Sequence, residues 1–261
     1  MQLKNTTVLI TGGTSGIGLE LVKQLLQQSV NAIIVTGRDL AKLELAKTMY
    51  PQIHIIQSDV SSSKDIESLY QQVTHKFPKL NVLINNAGIM RNMDLQDSRM
   101  DLDNIILEID TNLSGTIRMV HEFLPHLKTQ ETAAIVNVSS GLAFVPFSAS
   151  PVYSATKAGV HAYTQTLRLQ LKKTKVKVFE LAPPGTETPL MDTFAEVIDS
   201  RQNMKVDKMV HIAIHGILND KMEIKPGLSK VLKVMSRLAP NLILNVLDKS
   251  LDKIKAKKIP L

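Results

Sequence analysis

Tyr153 and Lys157, in "SASPVYSATKAGVHAY" (148–163), stand four positions apart. On a helix, positions i and i+4 share one face, so phenol and ammonium would lie one turn apart. A neighbouring ammonium favours the phenolate and lowers the phenol's pKa. Such a tyrosine can give a proton to a substrate oxygen and take it back. The spacing alone decides little: with four tyrosines and 24 lysines in 261 residues, chance supplies a Tyr-x-x-x-Lys in about one such chain in three. The small neighbours Ser154, Ala155, Ala158 and Gly159 would let that helix pack closely.

A second group lies in "TGGTSGIG" (11–18), between the apolar run "TVLIT" and an amphipathic stretch. Gly12, Gly16 and Gly18 would let the chain turn, approach a phosphate and pack a helix on a sheet. The N–H groups at that helix start would face a pyrophosphate. The Gly-Lys-Ser/Thr of a P-loop is missing, which argues against an NTPase. His121, His126 and His161 show no metal-like grouping with carboxylates, so they are read as structural and no metal site is expected.

These residues need a scaffold. Near-continuous apolar runs at 7–11, 32–36, 53–57, 81–85, 133–139 and 175–181 predict strands buried on both faces. Helical stretches fit at about 16–28, 39–49, 63–77, 100–127, 152–172 and 205–218. The alternation implies an α/β, doubly wound Rossmann-type parallel sheet with helices on both faces. No linker interrupts it, so 1–261 reads as a single domain with a basic helical extension over about 226–258.

Composition sets limits. Hydrophobic content of 44% and charged content of 21% fit a soluble globular chain. Without cysteine there is no disulfide framework and no thiolate-ligated metal. The N-terminus lacks the apolar core of a signal peptide, and no run approaches a membrane span, so a cytoplasmic protein is expected. The net charge of +7 resides in the tail, where 221–261 carry ten basic residues against three acidic ones. The balanced body gives no electrostatic reason to bind nucleic acid.

Seven stretches in register resemble the short-chain dehydrogenase/reductase family over about residues 5–190. They are "TGGTSGIG", "SDV" (58–60), "NNAG" (85–88), Asn112 in "DTNLSG", "NVSS" (137–140), "YSATK" (153–157) and "PPGTET" (183–188). The end of the chain looks closest to the family's bacterial DltE-like branch. The resemblance implies about seven strands and a catalytic set of Asn112, Ser140, Tyr153 and Lys157. A nicotinamide would exchange hydride with a carbonyl or secondary-alcohol carbon while Tyr153 exchanges the proton as general acid/base. Ser140 would hold the oxygen, and the side chain or backbone of Asn112 would hold a water leading to Lys157. A solvent-facing helix position is the other reading of Asn112. Lys157 would hold the phenol well below its free pKa and bind the ribose.

By the same resemblance the cofactor would touch Gly12, Thr14, Ser15, Gly16, Ile17 and Gly18, then Arg38, Asp59 and Val60. Asn86, Ala87 and Gly88 would line the adenosine side, and Pro184, Gly185, Thr186 and Thr188 the nicotinamide side. "PPGTETP" fits the family pattern in two registers one residue apart, so the threonine contacts stay open by one position. Gly37 stands where an acid would select NAD, and Arg38 can take a 2′-phosphate, which favours NADP(H). NAD(H) remains possible through Asp39, here read instead as a helix N-cap. Leu142, Phe144, Phe147, Met191 and Phe194, in "GLAFVPF" and "TPLMDTFAEV" (188–197), are either a pocket or ordinary packing. The expected partners are a small-molecule carbonyl or alcohol substrate and a second copy, as homodimer or homotetramer. Two other functions compete: an NAD(P)-sensing regulator and a membrane-surface cell-envelope accessory protein. In the tail, Leu228, Val231, Leu232, Met235 and Leu238 form one stripe, and Leu242, Ile243, Val246, Leu247, Leu251 and Ile254 continue it after Pro240. The stripe is expected to cover the body or a subunit contact in preference to a membrane, with Lys230, Lys233 and Arg237 solvated.

Overall fold

The computed structural model describes residues 1–97, 101–194 and 203–257, with side chains as far as residue 249. The apolar runs form seven strands: β1 (Thr7–Thr11), β2 (Ala32–Gly37), β3 (His54–Gln57), β4 (Leu80–Asn85), β5 (Ala133–Val138), β6 (Val176–Leu181) and β7 (Glu223–Ile224). They make one parallel sheet in the order β3-β2-β1-β4-β5-β6-β7. Alternate side chains feed two cores. Val8 and Ile10 of β1 pack on one face with α1 (Gly16–Leu26), α2 (Leu40–Met49) and α7 (Val206–Leu218). Leu9 packs on the other with α3 (Ser63–Lys76), α5 (Gly115–Thr129) and α6 (Pro151–Gln170). Both faces are covered, which is why the strands read as continuous apolar runs.

Helix starts follow local chemistry. Asp39 caps α2 by accepting from Lys42 N, as expected, and Ser62 caps α3 by accepting from Asp65 N. Pro151 opens α6 with its φ already helical and no N–H to satisfy. The chain leaves β1 to one side through β2 and returns to the other as β4, so a crevice opens beyond their carboxyl ends.

Two expectations need correction. The helix expected over 100–127 is α4 (Leu102–Ile109), a π-turn at Asp110–Ser114 and then α5; Met100 lies outside the described residues. The extra residue in that turn swings Asn112 inward, to complete burial. In the tail, α8 (Leu228–Leu238) and α9 (Pro240–Lys257) form, but the apolar stripe is mostly uncovered. Leu232 is buried and Met235, Ile243 and Leu247 are half-buried, whereas Leu228, Val231, Leu238, Leu242 and Val246 are exposed. The side chains of Leu251 and Ile254 lie outside the description. Lys233 is not solvated: with Lys225 it pairs with Glu223 beside β7. Among the described residues no helix is long and apolar enough to cross a membrane.

Candidate active site

The crevice is a cleft of about 890 Å³, running from the end of β2 past β1 and β4 to the tail. At one end the chain turns from β1 into α1. Gly12 has φ +65°, and a Cβ there would sit 2.8 Å from Ala87 Cα. A Cβ on Gly18 would lie 2.2 Å from Gly12 O, so no side chain fits where α1 crosses the loop. Asn86 braces this loop by donating from Nδ2 to the carbonyls of Thr11 and Gly12. The backbone N–H groups of Asn86 and Ala87 both donate to Thr11 Oγ1. Thr14, Ser15, Gly16 and Ile17 line the cleft, and Ser15, the α1 N-cap residue, makes no side-chain cap. The first N–H groups of α1 therefore remain available for an anion.

Further along, Arg38 and Lys42 line the cleft together, below Gly37. Asp39 commits one oxygen to Lys42 N. Asp59 spends Oδ1 on Ser61, with Val60 and Gly88 also in the wall. On the opposite rim Pro184, Gly185, Thr186 and Thr188 all line the cleft. Thr186 Oγ1 donates to Pro184 O, and Thr188 lies within 3.1 Å of a Cβ built on Gly16. Thr188 thus faces the α1 end of the cleft. Sequence reasoning missed three lysines in this wall, Lys42, Lys205 and Lys208; each sits in a polar helix start that reads as solvated surface.

The other end carries the acid–base groups. Ser139 and Ser140 both line the cleft but are held differently: Ser139 Oγ donates to Glu180 Oε1 at 2.5 Å, whereas Ser140 Oγ accepts from Leu142 N. Lys157 Nζ donates to Val138 O at 2.9 Å and lies 5.5 Å from the centroid of the Tyr153 ring. Both side chains are buried, at 4% and 7% exposure. This overturns the expectation of a lowered phenol. Burial pushes Tyr153 up to about 12, against the pull of the Ser140 hydroxyl and with the added push of Glu108. Burial likewise brings Lys157 down to about 8, with Glu108 opposing. Desolvation is the largest cause for both groups, because a low-dielectric site disfavours either charge.

Asn112 is also corrected. Its side chain is not solvent-facing and cannot donate to a water. Oδ1 accepts from Ile89 N, and the Nδ2 hydrogens go to Ile89 O and Thr156 Oγ1. The side chain ties the strand-end loop to α6, and the Asn112 carbonyl accepts from Thr116 Oγ1.

His161 departs from its reading as well. Nδ1 sits 2.8 Å from Glu180 Oε2, and His161, Glu180 and Glu223 bring ligand-type atoms within 4.8 Å of one another. Residues 19 and 62 positions away met only through β6 and β7, so no local spacing could have announced them. Two lysines and the Ser139 hydroxyl already engage the carboxylates. A cation would have to displace them, and the group is a charge network behind the site.

The apolar wall combines Met90, Leu142, Phe147, Leu190 and Met191 with Leu228, Leu232 and Leu247 of the tail. Phe194 is buried behind it with Phe147 and Tyr153. Phe144 instead lies edge-on to His161, under Lys233. Residues 195–197 of the expected lining lie outside the described residues. A Cβ on Gly141 would come 2.7 Å from Ser229 Oγ and 3.2 Å from Leu232, so α8 seats directly on the residue after Ser140. Ser148 donates to Asp248, fastening α9 to the segment that carries Phe147.

A doubly wound parallel sheet with a glycine turn after β1, Ser140 beyond β5 and Tyr153 with Lys157 on α6 defines a dinucleotide-fold oxidoreductase. The family model of short chain dehydrogenase matches residues 6–199, and the chain belongs to that family. An uncharacterized oxidoreductase, DltE, of Bacillus subtilis strain 168 is 46% identical over 190 residues, covering 73% of this chain and 75% of that protein. An uncharacterized oxidoreductase of Staphylococcus epidermidis is 31% identical over 192 residues, 73% of this chain and 82% of its own. In structure, the chain is similar to a short chain dehydrogenase of Burkholderia cenocepacia solved with NADP, at TM-score 0.82 and 22% identity, covering 95% and 99% of the two chains. A short chain dehydrogenase/reductase of Burkholderia phymatum solved with NAD superposes at TM-score 0.79 and 19% identity, covering 91% and 95%.

Proposed function

We propose that the chain is an NADP(H)-dependent oxidoreductase acting on a carbonyl or secondary alcohol with an apolar body, with Tyr153 as general acid/base. One observation carries the reading: Ser140, Tyr153 and Lys157 converge in a cleft whose other end is a side-chain-free turn under a helix N-terminus. That turn fits a dinucleotide, because any Cβ at Gly12 or Gly18 would fill the space the backbone needs to approach a pyrophosphate. When bound, the nicotinamide would supply or accept the hydride.

The protein's own groups do the rest. Ser140 Oγ donates to the substrate oxygen and orients it. Tyr153 passes its proton to that oxygen as negative charge develops, and in alcohol oxidation it takes the proton back. A resting phenol near 12 remains protonated at neutral pH, ready to act as the acid in reduction. Lys157 binds the ribose hydroxyls and returns a proton to Tyr153. The exclusion of water by Leu142, Phe147 and Met191 strengthens each of these interactions. Arg38 and Lys42 supply two cations where a 2′-phosphate would lie, and Asp39 is occupied by its cap, which favours NADP(H).

The cytoplasm, where the reduced cofactor is available, suits this activity. Exposed Leu102 and Ile106 on α4 and Ile117 on α5 support self-association as a dimer or tetramer. The test is consumption of NADPH absorbance across a panel of ketones and aldehydes, beside NADH and a no-substrate control. Apolar ketones should be reduced with NADPH. A protein that binds NADPH and turns over nothing in either direction would instead be the nucleotide sensor.

A further inference from the structure

Apart from Leu232 and Met235, α8 turns its polar side chains inward and its apolar ones outward. Ser229 is buried, and Lys233 and Ser236 are half-buried. Leu228, Val231, Val234 and Leu238 instead form an outer stripe that is 48–76% exposed. The inner side is fixed in place. Ser229 and Leu232 press on Gly141, and Lys233, with Lys225, pairs with Glu223. An apolar face held towards water in this way marks a contact surface.

The charge around the stripe says what would cover it. Lys230 and Arg237 line up along one edge, seven residues apart with Val234 between them. Both are exposed, and neither makes an ion pair or side-chain hydrogen bond among the described residues. With Lys225, Lys233, Val234 and Leu238 they line a hollow of about 410 Å³, in which four cations face one carboxylate, Glu223. Residues 1–220 balance 21 basic against 21 acidic side chains, so the protein's positive field comes from the tail.

We propose that the outer face of α8 docks on an anionic lipid surface, with the apolar stripe among the headgroups and Lys230 and Arg237 on their phosphates. Lysine and arginine suit the edge of such a stripe, because their stems lie along apolar groups while their charged heads stay at the phosphate level. The contact is with the surface, since no described helix can cross a membrane. A second copy fits this face less well: a twofold contact of the stripe with itself would set two net-cationic hollows together. Leu228 belongs both to the exposed stripe and to the wall of the cleft, which Leu232 lines from the inner side. Docking therefore sets the apolar end of the cleft beside the lipid. It requires neither cofactor nor turnover, so it stands or falls apart from the proposed reaction.

The experiment is co-sedimentation of the full chain with large unilamellar vesicles of phosphatidylcholine, alone or with about one lipid in three replaced by phosphatidylglycerol. The chain should bind the anionic vesicles at least about tenfold more tightly than the neutral ones, and added salt should weaken that binding. Lys230→Gln combined with Arg237→Gln should cost about fivefold per charge, or about twenty-five-fold together. Val231→Ser combined with Leu238→Ser should weaken binding by about tenfold or more. All four side chains are exposed, so both double variants should unfold at the wild-type temperature. No binding to anionic vesicles at low salt, equal binding to both vesicles, or folded double variants that bind like the wild type would each overturn the proposal. Should one double variant not fold, the other decides by the same comparison. Self-association that both variants abolish, without vesicle binding, would assign the face to a second copy instead.

Discussion

The two ends of the cleft are built from different materials. The end under α1 is mostly backbone: a glycine turn, helix N–H groups and strand-end carbonyls braced by Asn86. The end under the tail is mostly side chain: Leu142 and Met191 from short 3-10 turns, Phe147 from the loop before α6, and Leu232 and Leu247 from helices that follow the last strand. Backbone geometry tolerates few residue types, because a Cβ on Gly18 would overlap a carbonyl oxygen. An apolar wall tolerates many, because volume and hydrophobicity matter more than identity. The first end should therefore bind one class of molecule, and under the proposed function the second would set which substrate reaches Tyr153.

Tyr153 lies at the seam, and its removal should separate chemistry from binding most sharply. Tyr153→Phe should lower kcat by about a hundred- to ten-thousandfold, the usual worth of a positioned acid. NADPH affinity, read by fluorescence titration, should hardly change. A variant that retains a tenth of wild-type kcat would remove the proton from Tyr153 and reopen the whole assignment.

At the backbone end, Arg38 is an exposed side chain on an otherwise main-chain site. Loss of a charge-assisted phosphate contact costs about 1.5–3 kcal/mol, or about a ten- to hundredfold weaker fit. Arg38→Ala should weaken NADPH by that factor and leave NADH where it was. Equal losses for both cofactors would show that the guanidinium does not meet the 2′-phosphate.

The side-chain end should respond least, through the tail. Burial raises the Glu223 carboxyl, but Lys225 and Lys233 overcome it and hold the group down at about 2. A depressed carboxylate stabilises the fold above its unfolded value near 4.5, and that contribution is lost as pH falls toward 2. The pair is partly exposed, so the effect should be about 1 kcal/mol or less. Glu223→Gln at pH 7, or the wild type acidified below about 4.5, should lose the tail to limited proteolysis a few times faster. Substrate KM should rise with little change in NADPH affinity. A parallel loss of cofactor binding would mean that the two ends are not independent.

Much of the fold could be read locally. The six apolar runs became strands within a residue of their expected ends, and Asp39 capped its helix as expected. The short β7 was harder to see, since two residues paired at one edge carry no periodic signal. Gly12 and Ser140 were legible because their roles depend on chain geometry and on order along the chain. Glu108 and Lys42 were not, because burial and proximity decide what a charged helix residue does.

The chain's own order of glycines, serine, tyrosine and lysine was enough to determine a dinucleotide fold and a candidate acid–base group. Those features follow from backbone sterics and from spacing within single elements. Only the tertiary structure decided the state of that group. Packing around α6 removed water from Tyr153 and Lys157, raising the phenol and lowering the ammonium, the reverse of what the pair does in water. It also decided that Gly141 receives α8 and that His161 meets two carboxylates from different strands. Desolvation and long-range contact arise from residues far apart in the chain, so no local pattern carries them.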